Sequence, residues 1–359
     1  MDIERYLSWV GYFLRRADRG VGWLGLLWAY RHGYLPQQVA LYRLPNAEQE
    51  AYLSDRDWVR TLSRINGAYT VLLQNKLVLH RLLAGHRDHL PEVYGVLWRG
   101  RFLPEPGSGT DSLPGLLDRV ERAGGGTGLV VKPVEGAFGR GIQMLRPAAD
   151  EGDDAWTVNG QRLERRSLLD RLAAAAIAEP QLVSEIVHQA AYACGLYPHS
   201  SNSLRVVMMR DPASAEPFVA AAVQRVGVAA SRPVDNFTAG GLSAPVHVAS
   251  GEIGMALQRI GGDPPVRHAV HPETGAPIRG VLVPGWRDVQ ERLTSMMQTL
   301  PFIAYVGWDV LITEGGFKVL EGNANPDPNL QVHSPLLKDP RVLRFCRAHG
   351  VRRGGPRGS

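Results

Sequence analysis

The sequence predicts an α+β protein in which helices come first and antiparallel strands follow. Three observations carry this. Residues 3 to 86 repeat apolar side chains at helical spacing, residues 93 to 248 alternate short β-branched runs with turn residues, and Gly307 to Asp327 reads as a hairpin edged with acid and amide side chains. With 359 residues the chain can bury a large core and divide into two or three lobes.

In the first quarter, Tyr6, Trp9, Val10, Phe13 and Leu14 mark one helix, and a Trp- and Leu-rich run from Val21 to Tyr30 marks a second. Arg15, Arg16, Asp18 and Arg19 interrupt any apolar span of about 20 residues, so no transmembrane segment is expected, and the pair should be buried rather than laid on a membrane surface. Two further helices are expected over 47–66 and another over 69–86 around Lys76. Val93 to Trp98 is then a strand, Asp111 to Arg122 a helix with its cap at Asp111-Ser112, and Leu129-Val-Val-Lys132 a buried strand. Farther on come a hairpin at 156–160, a helix over 167–177, the strand 181–187, and two long strands over 203–209 and 218–228 carrying Arg205 and Arg225. A polar loop from Val234 to Gly241 precedes a strand over 244–248, and Trp286 to Leu300 is a helix opened after Pro284-Gly285.

Composition narrows the function. An apolar share of 44% and a charged share of 21% describe a globular chain. The net charge of +5 rests on scattered arginines with no aromatic-basic cluster, so no nucleic-acid partner is expected. Cys194 and Cys346 fit neither a zinc spacing nor a disulfide framework, and Met1-Asp-Ile-Glu lacks the basic start of a secretory leader. A cytoplasmic location is expected. Only Lys76, Lys132, Lys318 and Lys338 are lysines among 40 basic residues, which marks retained lysines as places where a compact ammonium is wanted, with chance retention open at Lys318 and Lys338.

Two stretches carry chemistry. Lys132 precedes a loop containing Gly136, Gly139 and Gly141, whose permissive backbone lets successive N–H groups wrap a polyphosphate. The order strand, loop, strand separates it from a P-loop, where the lysine follows the glycines and opens a helix, and an ordinary glycine-rich hairpin is the alternative. In the hairpin, Asp309 enters the first strand, the turn falls at Glu314-Gly315-Gly316, and Glu321 and Asn323 leave the second strand on one face. Hard oxygen donors of this kind suit magnesium, and solvated strand ends are the alternative.

In their joint order these stretches resemble the ATP-grasp superfamily, most nearly its sugar-transfer-associated members and the related alpha-L-glutamate ligases. The stretches that carry the likeness are Ser201 to Arg205, Val234 to Gly241, Gly307-Trp-Asp309 and Glu321 to Pro326, within roughly residues 60 to 340. The resemblance implies an ATP-grasp fold, two α+β lobes sandwiching ATP, behind a mainly helical N-terminal region. The chain is expected to divide at 1–72 (helical), 73–186 (lysines and glycine loop), 187–350 (metal ligands and substrate loop) and 351–359, a Gly-, Arg- and Pro-rich stretch that reads as a disordered tail.

By position, the resemblance implies that Lys76 and Lys132 hold ATP phosphates, that Gly136, Gly139 and Gly141 close over them, and that Glu185 and Val187 offer backbone groups to adenine. Asp309, Glu321 and Asn323 would hold two magnesium ions. Arg205 and Arg225 would face the transferred phosphoryl or a substrate carboxylate, and Asp235, Asn236, Gly240 and Gly241 would form the substrate loop. Gly307-Trp308 stands where several amide ligases of the superfamily carry an arginine, which leaves Arg205 or Arg225 to supply that charge.

The expected activity is ATP-dependent carboxylate–amine ligation through an acyl phosphate, with small-molecule carboxylate and amine substrates. A phosphotransferase acting on a small molecule and a non-catalytic nucleotide-binding module are the alternatives. Neither substrate identity nor oligomeric state is legible.

Overall fold

The computed structural model describes residues 3–16, 22–124, 127–136, 140–148, 154–232, 234–259 and 265–351. The tail expected to be disordered lies, except for Val351, outside them. The chain forms two compact units, the smaller from residues 71–189 and 313–321, the larger from 1–70, 190–312 and 322 onward.

The smaller unit is built on a seven-stranded antiparallel sheet, β1 (Val93–Trp98), β2 (Arg101–Pro104), β3 (Leu129–Pro133), β4 (Gln143–Pro147), β5 (Ala155–Val158), β6 (Gln161–Glu164) and β7 (Gln181–Glu185), in the order β2-β1-β7-β3-β4-β5-β6. Alternation explains its two faces. Leu129 and Val131 of β3 join Leu145, Trp156 and Val183 in a core shared with the helices Leu113–Ala123 and Arg165–Ala178. Ser112 caps the first of these helices by accepting the Gly115 N–H at 3.2 Å. Val93, Val96, Val134 and Leu182 form a second cluster with Leu77.

The helix expected over 69–86 is broken. Asn75 is extended, bridges to Glu135, and caps a new helix, Lys76–Leu82, by accepting the Val78 N–H at 3.0 Å. The break puts Lys76 at a helix start, where its own N–H reaches the Val134 carbonyl at 3.0 Å.

The second sheet contains β8 (Leu204–Arg210), β9 (Pro217–Val226), β10 (Leu242–Val246), β11 (Ala256–Gln258), β12 (Val266–His268), β13 (Tyr305–Thr313) and β14 (Gly316–Asn323), ordered β12-β11-β10-β9-β8-β13-β14. The expected hairpin is β13 and β14, and the boundary between the units falls within it. In the larger unit Val207, Met209 and Tyr305 pack with Leu53, Leu62, Leu337 and Phe345, so helical segments from both ends of the chain cover this face. Asn66 ties them to the sheet, donating to the Tyr305 carbonyl at 2.7 Å and accepting the Ala304 N–H at 3.0 Å.

The N-terminal helix pair differs from expectation. Trp9, Phe13 and Ala29 are buried, but Trp23, Leu24 and Leu27 are 72%, 63% and 58% exposed. The stripe of the first helix packs on one side of the second and leaves the opposite side uncovered. Among the described residues no helix is long and apolar enough to cross a membrane.

Asp55, 3% exposed, begins the helix Asp55–Arg60 and accepts the Leu35 N–H at 2.8 Å. Burial outweighs that bond and pushes its carboxyl up to about 8. Because the folded value lies above the unfolded one, the proton-linked stability is complete below about pH 4 and lost as pH rises toward 8. Asp55→Asn should flatten that decline, with unfolding free energies at pH 5 and pH 8 converging by on the order of a few kcal/mol relative to the parent. A parent equally stable at both pH values contradicts a buried neutral carboxyl.

Candidate active site

In the smaller unit the rare lysines converge. Alternation along β3 puts Lys132 on the face opposite the Leu129–Val131 core, and its Nζ lies 3.4 Å from the Leu320 carbonyl. Lys76 Nζ donates to the Gly136 carbonyl at 3.1 Å and stands 4.0 Å from Glu321 Oε2. Burial holds the Lys76 ammonium below its ordinary range, opposed by the charges of Glu321 and Glu135. Lys318 joins them, donating to the Leu90 carbonyl at 2.9 Å and lying 3.7 Å from Glu185. Three of the four lysines thus meet or lie on the segment 313–321. Lys338 pairs with Glu48 at 2.6 Å in the larger unit.

The glycine loop departs from β3 through positive φ. Gly136 has φ +151° and Gly141 φ +75°, and a Cβ at Gly141 would meet Pro133 at 3.0 Å, so a larger residue there is strained. Gly139 lies outside the described residues. At the expected adenine edge, the Glu185 N–H is committed to the Glu92 carbonyl at 2.9 Å, and the Glu185 carboxylate accepts the Glu92 N–H at 3.0 Å. An adenine there would meet the Glu185 carbonyl or half-buried Val187, which follows the end of β7.

In the larger unit a charge network organises the sheet face. Asp309 on β13 is paired in register with Arg205 on β8, which places both on one face. Arg205 donates Nε to Asp309 Oδ1 and Nη2 to Oδ2, the latter at 3.0 Å. Arg225 Nη2 reaches the same Oδ2 at 3.1 Å and Ser203 Oγ at 2.6 Å. Asp235 closes the circuit, accepting Ser203 N–H and O–H at 2.7 and 2.6 Å, with its Oδ1 3.3 Å from Arg225 Nε. Asp309 and Asp235 are 5% and 6% exposed, so two arginines neutralise two buried carboxylates.

Gly307 has a packing reason. Two positions before Asp309 on the same face, a Cβ there would lie 2.7 Å from Pro326 and 3.1 Å from the Arg205 side chain. The glycine makes room for a guanidinium delivered from β8, while Trp308 points to the other face and is fully buried.

The residues expected to form a substrate loop have structural work of their own. Asp235 is turned inward as described. Asn236 accepts from the Thr238 N–H at 3.0 Å, Gly240 has φ +92°, and a Cβ at Gly241 would lie 2.8 Å from the Asp235 carbonyl. Sequence reasoning did not find the contacts of Ser203 and Lys318, whose partners Arg225, Asp235, Leu90 and Glu185 are distant in sequence.

For magnesium, the donors have the right chemistry. Asp309 and Glu321 supply carboxylate oxygens and Asn323 an amide oxygen, all hard ligands. The Asn323 Nδ2 donates to the Gly307 carbonyl at 3.4 Å. Asp309 accepts guanidinium bonds from both Arg205 and Arg225. Among the described residues no group of three or more His, Cys, Asp or Glu side chains forms a metal cluster. Asp309 and Asn323 belong to the larger unit and Glu321 to the smaller.

No curated protein matches the chain in sequence. Among solved structures it is similar to VanG D-Ala:D-Ser ligase from Enterococcus faecalis, with 12% identity, a TM-score of 0.39, and 79% of this chain and 63% of that chain covered. A D-alanine–D-alanine ligase from Bacillus anthracis complexed with ATP gives 12%, 0.37, 78% and 69%. The ATP-grasp ligase PsnB complexed with minimal precursor, Mg and ADP gives 14%, 0.32, 73% and 54%. The chain therefore spans about half to two thirds of the chains it aligns with. The sequence model of the sugar-transfer associated ATP-grasp family matches residues 61–339, well over half of the chain, and the protein belongs to that family.

Proposed function

We propose that the protein is an ATP-dependent carboxylate–amine ligase that forms an amide bond through an acyl phosphate, releasing ADP and phosphate. The observation that carries this reading is the convergence of Lys76, Lys132 and Lys318 on the segment ending at Glu321, beside a glycine loop whose Gly136 carbonyl Lys76 already touches.

In this reading Lys76 and Lys132 bind ATP phosphates, Gly136 and Gly141 let the loop backbone approach them, and the backbone around Glu185 and Val187 meets adenine. Asp309, Glu321 and Asn323 are the magnesium ligands. Magnesium held there, two ions in this reading, would supply charge neutralisation at the phosphates and orientation of the transferred group. Arg205 keeps Nη1 outside its pair with Asp309, and that group is directed to the transferred phosphoryl or the substrate carboxylate. Arg225, held by Asp235 and Ser203, fixes the orientation of Asp309, so Asp235 acts through Arg225. The loop of Asn236, Gly240 and Gly241 covers the substrates and excludes water, whose attack on the acyl phosphate would waste it.

The chemistry balances simply. A substrate carboxylate oxygen attacks the γ-phosphorus as the bond to the ADP oxygen breaks. The amine nitrogen then attacks the acyl carbon, phosphate leaves, and the ammonium proton is lost. No side-chain nucleophile is required, and positioning with charge stabilisation provides the rate.

With a panel of carboxylates, ADP release should require an amine, and hydroxylamine should trap a hydroxamate. A phosphorylated product that accumulates without an amine identifies the phosphotransferase instead. Glu321→Ala should abolish ADP formation while leaving the thermal unfolding midpoint near the parent value, and unchanged turnover removes Glu321 from the metal site. Arg205→Lys should lower ADP formation by about 100-fold, the scale of losing one oriented charge donor, and an unaltered rate removes Arg205 from the reacting centre.

A further inference from the structure

The sheet face that carries Asp309 and Arg205 continues across the larger unit. Ser243 on β10 lies directly opposite Arg225, Leu257 on β11 opposite Ser243, and Arg267 on β12 opposite Leu257. Residues opposed in register share a face, so Arg225, Ser243, Leu257 and Arg267 form one row across the sheet, and the Asp309–Arg205 pair lies on the same face in the next row, because Arg205 opposes Val223, two positions before Arg225. At about 4.8 Å between strands, the backbones of Arg225 and Arg267 are three spacings, roughly 14 Å, apart.

Between the two arginines sits an uncharged pair. His333 Nε2 lies 3.0 Å from Ser243 Oγ. Burial and then the charge of Arg267 hold the imidazole down to about 3, which also places Arg267 within electrostatic reach of the ring. The segment that delivers His333 is fixed, since Gln331, fully buried, accepts the Leu53 N–H at 2.9 Å and donates to the Leu53 carbonyl at 2.8 Å. Arg267 is exposed and forms no ion pair with a described carboxylate. Arg205 and Arg225, by contrast, are both occupied by Asp309.

We propose that Arg267, with Ser243 and His333 beside it, forms a subsite for a second anionic group, carboxylate or phosphate, at the end of the substrate remote from Arg205 and Arg225. The inference rests on the ligase reading for which end of the substrate reacts, and it adds that the substrate is elongated and doubly anionic. A guanidinium fork suits either anion, and the neutral imidazole and hydroxyl add hydrogen bonds without a compensating charge.

The test uses the full chain and isothermal titration calorimetry with linear dicarboxylates from succinate to sebacate, then with the matching ω-phosphonocarboxylates. The parent should show an affinity optimum at one chain length, in the first series for carboxylate recognition or in the second for phosphate recognition. Arg267→Gln should erase that optimum with a loss of about tenfold or more, the scale of one charge-assisted pair, and Arg267→Lys should restore part of it. No optimum in the parent, or an optimum that Arg267→Gln leaves intact, overturns the subsite. Because binding is read without turnover, this outcome is separate from the fate of the ligase reading, which rests on Glu321→Ala and ADP formation.

Discussion

Asp309 sits almost wholly out of water with both oxygens held by guanidinium groups, and the polar half of the larger unit is arranged around that charge. An isolated carboxylate at this depth would take up a proton rather than remain ionised. Two arginines from neighbouring strands prevent this, and each is itself placed by something local. Gly307 opens the space that Arg205 crosses, and Ser203 with Asp235 anchors Arg225. Such a network adds little net stability compared with apolar packing, yet losing one member leaves a buried charge uncompensated, which makes the geometry costly to disturb.

The smaller unit obeys a similar economy of charge. A chain that otherwise uses arginine keeps lysine at three places around the 313–321 segment, where a compact ammonium reaches a backbone carbonyl or a single carboxylate oxygen. The strand turn after Lys132 and the helix start at Lys76 bring these groups to the glycine loop from separate parts of the chain.

Much of this was legible in the sequence where the signal is local. The β13–β14 hairpin, the strand carrying Lys132, the helix over 165–178 and the paired strands carrying Arg205 and Arg225 all follow from periodicity and turn residues, as does the helical N-terminal region, and the family resemblance accords with the match over residues 61–339. What escaped depends on register or on competition between local structures. β11 and β12 are three residues each, too short to display alternation. The helix around Lys76 breaks because Asn75 forms a better cap than a helix interior residue. At Lys318 the sequence leaves chance retention open, because its neighbours Leu90 and Glu185 are far away in sequence. Asp235 read as a loop polar group, whereas Ser203 draws it inward.

The central claim is that Asp309, oriented by two arginines, is a ligand for the metal that accompanies the nucleotide. The most direct measurement is manganese affinity, read by electron paramagnetic resonance in the presence of ADP, for the parent and for Asp309→Asn. The account predicts a nucleotide-dependent manganese signal in the parent that is lost or greatly weakened in the variant while the fold is retained. Equal manganese affinity in the two proteins would contradict it.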